Sequence, residues 1–208
     1  MRKYTALTAL FGILALTLFI GSSRPSTAAI DDTIGAMAEK SIGDENAPIT
    51  IIEYASLTCG HCAKFHAETL PGLKRDFIET GKVRLIMRDF PLDIFALKAA
   101  MLSRCSGNKR YFAFVDVLFK GQKNWAHSSD PVKSLERVAR LGGLSADDIR
   151  LCLANTGLEE AILDMRLKGE QKYKIESTPT FIINGEKYNG DYSFEALSSA
   201  LRKLAPDS

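Results

Sequence analysis

The strongest constraint on the fold is an interruption. Strand character fills two short runs near the front of the chain, gives way to helical periodicity across residues 92–174, and returns at Thr178, Pro179, Thr180, Phe181, Ile182 and Ile183. Asn184-Gly185 follows, a dipeptide suited to a two-residue hairpin turn because both positions tolerate positive φ, and Glu186–Tyr188 supplies the partner strand. An isolated hairpin is marginal in water, so this late pair must complete a sheet begun far upstream. The order predicts one α/β sheet split by an inserted helical block.

Pro48 opens the first run, Ile49, Thr50, Ile51, Ile52, Glu53, Tyr54 and Ala55, which is largely β-branched and apolar. Such a run reads as a central strand covered on both faces. After Cys59-Gly60-His61-Cys62, the spacing of Ala63, Phe65, His66 and Leu70 is helical. Pro71 is expected to kink or break that helix, which resumes through Leu73, Phe77 and Ile78 to a Gly81 cap. Lys82–Phe90 is a second strand, stopped by Pro91. Strand, helix and strand in this order begin a βαβ unit.

Within the block, Ile94, Leu97, Met101, Leu102 and Cys105 fall on one face of a helix, and Tyr111, Phe114, Val115 and Leu118 on one face of the next. Pro131 sits near the start of a third, and Ser145, followed by two acids, caps a fourth carrying Ile149, Cys152 and Leu153. A fifth runs from about Leu158 to Tyr173, and Phe194, Leu197, Leu201 and Leu204 make a closing amphipathic helix.

The N-terminus carries an address. Arg2 and Lys3 precede an apolar run from Ala6 to Ile20, then come Gly21 to Pro25 and the small residues Ser26, Thr27, Ala28 and Ala29. That order is a secretory signal peptide over residues 1–29; an uncleaved anchor would need roughly 20 apolar residues. Residues 30–46 are polar and acidic, a lead-in arm with room for one short helix. Removing Arg2, Lys3 and Arg24 from 27 basic residues leaves 24 against 25 acidic ones, a charge of −1 in place of +2. No basic run or patch remains to attract nucleic acid. Four cysteines are too few for a disulfide scaffold, yet they would enter a compartment where disulfides persist.

Cys59-Gly60-His61-Cys62 stands where the first strand feeds the first helix. Half of a zinc site is one reading, but structural zinc takes four ligands, and Cys105 and Cys152 lack a paired spacing. At a helix N-terminus the unpaired N–H groups favour an anion, so Cys59 is expected to be a thiol with a depressed pKa and Cys62, one turn in, its inward partner. Redox chemistry without a metal or other cofactor is the expectation. Alternation places Glu53, Ala55 and Leu57 on one face, with the Glu53 carboxyl beneath the cysteines, where burial favours its protonated form and proton exchange with Cys62. An edge acid reaching water is the alternative. Pro179, between Thr178 and Thr180, is either cis or a plain strand-start proline. His66, four residues after Cys62, is read first as a packing histidine and second as a lining residue of the site. Trp125 and His127 read as cover for the core near a loop, and the methionines as ordinary packing.

These pieces, GDENAPITIIEYASLTCGHCAKFH from Gly43, RDFPL from Arg88 and STPTFIING from Ser177, resemble the thioredoxin superfamily. More narrowly they resemble the DsbA family of exported thiol:disulfide oxidoreductases in its alpha-proteobacterial form. The resemblance implies a thioredoxin fold over 47–91 and 175–208 with a helical insertion over 92–174. It also implies that Cys59 is the exposed nucleophile and Cys62 its buried partner, with Glu53 as the acid six residues before the first cysteine. Pro179 would be cis and face the pair, and the Thr178 backbone would pair with an incoming peptide as a short strand. Reduced exported polypeptides are the implied substrates, a quinone-linked DsbB-like membrane protein the implied reoxidant, and the periplasm the implied location. A monomer is expected. Cys105 and Cys152 read locally as free buried cysteines; the family's second disulfide implies a bridge between them.

Two departures bear on direction. The oxidases commonly hold Pro-His between the cysteines, whereas Gly60-His61 is the dipeptide of protein disulfide isomerase; His61 can stabilise the Cys59 thiolate by charge or hydrogen bond. Thr178 before the proline is an isomerase feature too. Isomerases of that sort dimerise through a sizeable N-terminal domain, and residues 30–46 offer little, which favours an oxidase of moderate strength. An isomerase or reductase using the same residues is the near alternative. A metal-binding chaperone holding a soft cation between the cysteines, and a non-catalytic peptide-binding chaperone, are the rivals from other classes.

Overall fold

The computed structural model describes residues 33–204, so the signal-peptide reading of residues 1–29 lies outside the described residues. Strand β2 (Ile49–Ala55) is central, as its apolar run implied. It runs parallel to β3 (Val83–Asp89), with Ile49 opposite Val83 and Ala55 opposite Asp89. On its other side lies β4 (Thr180–Ile183), antiparallel, with Glu53 opposite Phe181. Strand β5 (Glu186–Tyr188) pairs with β4 across Asn184-Gly185, both at positive φ, so the late hairpin does complete the early sheet.

The lead-in segment does more than the sequence suggested. It forms the short helix α1 (Thr33–Met37), then an edge strand β1 (Lys40–Ile42) antiparallel to β3, giving the order β1-β3-β2-β4-β5. Three residues that include Lys40 and Ser41 have no strand pattern of their own; the pairing comes from the open edge of β3. Gly43, at φ +100°, then turns the chain so closely over β3 that a Cβ there would lie 2.5 Å from the Val83 carbonyl oxygen.

The helix after the cysteines neither breaks nor stops at Pro71. It passes from α2 (Gly60–Lys64) through a π turn (Phe65–Thr69) into α3 (Leu70–Leu73) and a second π turn (Lys74–Ile78). Pro71 follows the first π turn, in which the Leu70 N–H bonds the Phe65 carbonyl, so the wider turn absorbs the missing donor. The end is as expected: Gly81 takes φ +73° and the Lys82 N–H reaches back to the Phe77 carbonyl. This helix and α10 (Phe194–Leu204) cover one face of the sheet through Phe65, Leu73, Phe77, Leu197 and Leu201. Burying such a side chain contributes roughly 1.5–3 kcal/mol.

The insertion comprises α4 (Ile94–Cys105), α5 (Tyr111–Lys120), α6 (Gln122–Ala126), α7 (Pro131–Leu141), α8 (Ala146–Leu153) and α9 (Thr156–Tyr173). The Asp93 carboxylate caps α4, and Ser145 with Asp148 forms a capping box on α8. Leu97, Met101, Leu102 and Cys105 are buried as their spacing implied, but Ile94 is 51% exposed because it is the first residue of α4, a turn ahead of the packed face. Trp125 is buried, its indole N–H donating to the Leu118 carbonyl, and His127 caps α6. A Cys105–Cys152 disulfide joins α4 to α8, the bridge that the resemblance implied. Helix α9 lies on the opposite face of the sheet, where Gly169 lets the Tyr54 ring approach. This is the thioredoxin fold with a helical insertion.

Candidate active site

Strand β2 ends at Ala55 and delivers a short loop, Ser56 to Thr58, to the first turn of α2. Cys59 is the extended N-cap residue of that helix, and its own N–H bonds the Ser56 carbonyl. Its side chain is half-buried, whereas that of Cys62 is fully buried. The two thiols are driven apart in acidity. The Cys62 thiol donates to the Cys59 sulfur, and this bond more than any other group lowers the Cys59 pKa to about 5; the Thr178 side chain and the backbone N–H groups of Cys62 and His61 add to it against the cost of burial. Burial pushes the Cys62 thiol well above the usual range, reinforced by its bond to Cys59 and by the charge of Glu53. A thiolate at neutral pH therefore stands at the surface over a thiol in the core.

The Thr178-Pro179 peptide is cis and lies against the pair. The Cys59 sulfur lies 3.2 Å from the Thr178 carbonyl oxygen, to which the thiol donates in its protonated form. The residues expected to meet from opposite ends of the sequence thus do so.

Glu53 is fully buried, which removes the edge-acid alternative: β3 and β4 flank it, with Met87 and Phe181 opposite. Its partner is His66, whose Nε2 lies 3.2 and 3.0 Å from the two carboxylate oxygens. The packing reading of His66 was right about burial and missed this pair. The π turn over Phe65–Thr69 shifts the helix phase from a plain 3.6-residue period, which sequence spacing does not reveal. The His61 imidazole turns to Tyr192, its Nδ1 2.9 Å from the hydroxyl, so His61 reaches Cys59 through its backbone N–H.

Three further residues support the site and carried no sequence signal. Gln122, from α6, donates to the carbonyls of Leu57 at 2.8 Å and Cys59 at 3.0 Å. Asp93 caps α4 with one carboxylate oxygen and accepts from the Thr58 hydroxyl at 2.6 Å with the other. Tyr192 holds His61. Each of their bonds to the site spans more than 30 residues of sequence, so no local pattern announces it. Among the described residues no group of three or more His, Cys, Asp or Glu side chains is placed to hold a metal ion.

The thioredoxin family model matches residues 36–203. The crystal structure of alpha-DsbA1 from Wolbachia pipientis superposes with a TM-score of 0.74 at 35% identity, covering 81% of this chain and 91% of that one. A protein-disulfide isomerase from Novosphingobium aromaticivorans shares the fold at TM-score 0.71 and 20% identity, covering 80% of this chain and 97% of its own. Among curated proteins, a "Putative protein-disulfide oxidoreductase" of Rickettsia bellii is 30% identical over 168 residues, 80% of this chain and 64% of that protein. Its Rickettsia felis counterpart is 31% identical over 78% of this chain and 58% of its own length, so the chain spans about three-fifths of these relatives. The matched residues include both cysteines, the cis proline and the whole sheet, and the chain belongs to the thioredoxin family, in its DsbA-like branch.

Proposed function

We propose that this chain is an exported thiol:disulfide oxidoreductase that introduces disulfides into reduced polypeptides, working in the periplasm after removal of residues 1–29. The observation that carries this reading is the split between a half-exposed Cys59 held near pKa 5 and a buried Cys62 pushed the other way. A substrate thiolate attacks the Cys59 sulfur of the Cys59–Cys62 disulfide, that bond breaks, and its electron pair passes to Cys62, which takes up a proton. A second substrate thiolate then attacks the substrate sulfur of the mixed disulfide and releases Cys59 as a thiolate. The substrate loses two electrons and the enzyme gains them. A stabilised Cys59 thiolate leaves readily, which makes the enzyme disulfide oxidising.

The cis Thr178-Pro179 backbone beside Cys59 suits a peptide added as a short strand. Reoxidation by a quinone-linked DsbB-like membrane protein, and action as a monomer, complete the proposal. Two measurements test it. Cys59 should alkylate with a midpoint near pH 5, and titration against glutathione should put the potential well above the roughly −270 mV of thioredoxin. A midpoint near 9 removes the chemical basis, a potential near that of thioredoxin turns the reading to a reductase, and undiminished activity in Cys59→Ser points to a non-catalytic chaperone.

A further inference from the structure

We propose that His66 is the proton relay of this site, passing protons between the buried Glu53 carboxyl and solvent through a cleft between the first long helix and α5. The proposal rests on the exchange function above and concerns how that function is supplied with protons.

Every turnover must protonate Cys62 as it leaves the disulfide and deprotonate it again on reoxidation. Cys62 and Glu53 are both 0% exposed. Glu53 sits in the middle of the central strand, so a proton lent to Cys62 has to be replaced from outside along a polar path. The polar atom that meets both Glu53 oxygens is His66 Nε2. Its ring is held in place by Phe119, with centroids 4.3 Å apart, and by the edge of Phe65 at 5.5 Å.

His66 also borders a cleft of about 430 Å3 walled by Pro71, Lys74, Phe112, Asp116 and Lys120. Asp116 and Lys120, from α5, pair at 2.7 Å with side chains 43% and 71% exposed, so the rim reaches water. The charged or titratable groups facing His66 are thus Glu53 from β2, Lys74 from the second π turn, and Asp116 and Lys120 from α5, with Cys62 a turn earlier on its own helix. None of Cys59, Thr178 or Pro179 borders the cleft. A polypeptide docked over Cys59 would leave this route open, and substrate and proton would enter by different doors.

The step balances as follows. As the Cys59–Cys62 bond breaks, the Cys62 thiolate takes the Glu53 carboxyl proton. The resulting carboxylate takes a proton from His66 Nε2–H, and the imidazole recovers one at its other nitrogen from water in the cleft. Reoxidation runs the sequence backwards. A histidine conducts because either ring nitrogen can hold the proton; an amide in its place keeps a hydrogen bond to Glu53 but cannot pass a proton on.

The test compares wild type, His66→Gln and His66→Ala by stopped-flow mixing of oxidised protein with a cysteine-containing peptide across pH 5–9, with thermal unfolding confirming that each is folded. His66→Gln should slow formation of the mixed disulfide by about tenfold or more and change the pH dependence of that rate. Adding imidazole to His66→Ala should restore the rate in proportion to its concentration, with methylimidazoles ranked by basicity. A purely structural histidine predicts rescue by glutamine and indifference to imidazole basicity. Wild-type rate and pH profile in His66→Gln overturn the relay while leaving the exchange function standing. Failure of wild type itself to oxidise the peptide overturns both. If His66→Ala does not fold, the His66→Gln profile decides alone.

Discussion

Two carboxylates are buried at neighbouring places in this sheet and meet different partners. Glu53 stands on β2 and Asp89 two registers further along on β3, opposite Ala55; both are at most 1% exposed. Asp89 accepts from Arg104 Nε at 2.5 Å and from the Tyr111 hydroxyl at 3.3 Å, and Arg104 also donates to the Ala36 carbonyl. Lys40 completes the cluster, donating to Asn108, with burial and the Arg104 charge pulling its pKa down to about 8. A guanidinium does not give up its proton, so this cluster is a strut between the strands, α1 and the insertion. Glu53 faces an imidazole instead. With burial nearly equal, the partner's chemistry separates the two: a guanidinium fixes Asp89 as a brace, whereas the imidazole gives Glu53 a neighbour able to carry a proton, the role proposed above.

The largest effect should come from breaking the strut. Arg104→Met strands the Asp89 charge in the core and should cost about 3–5 kcal/mol in chemical denaturation, with Asp89→Leu in the same protein recovering most of it. A loss below about 1 kcal/mol would erase the contrast with Glu53. His66→Gln, judged by the same denaturation, should cost less than about 1.5 kcal/mol, because an amide still hydrogen-bonds the carboxyl.

Next in size is the bridge that begins one residue after Arg104. Cys105→Ala with Cys152→Ala releases a loop of sequence separation 47 and should lower stability by about 2–4 kcal/mol in thermal unfolding. Because α4 carries both features, combining it with Arg104→Met should give a non-additive total.

A smaller, pH-dependent effect belongs to the active site. The folded pKa of Cys59, about 5, lies below its ordinary value of 9.0, so the thiolate stabilises the reduced protein fully above pH 9 and that contribution fades as pH falls through 5. The stability of the reduced protein relative to Cys59→Ser should therefore rise from pH 5 to 9; a flat difference would contradict the acidity described above. Smallest of all, Lys120→Met breaks an exposed i,i+4 pair at the cleft rim and should change stability by less than about 0.5 kcal/mol.

Much of this molecule was legible in advance. The apolar run of β2, the Asn184-Gly185 turn, the Ser145 cap and the cysteine spacing are local patterns, and local patterns survive folding unchanged. The edge strand at Lys40–Ile42 was not, because an open neighbour made it. Nor was the unbroken course of the helix past Pro71, since a π turn leaves no mark in hydrophobic spacing. At the site, Cys59, Cys62, Glu53 and Pro179 were legible as positions. What surrounds them was not: Gln122 under the loop, Tyr192 on His61 and His66 on Glu53 all depend on contacts between distant segments.

By itself, then, the sequence determined which residues form strands and helices, where the late hairpin must return, and which two thiols share one helical turn, because propensity, turn chemistry and short spacing act within a few residues. Only the tertiary structure decided how acidic Cys59 is and what partner the buried Glu53 carboxyl meets. Those properties come from burial and from partners brought together across the fold, such as Thr178 on Cys59 and His66 on Glu53, and charge in a core responds to what surrounds it in space.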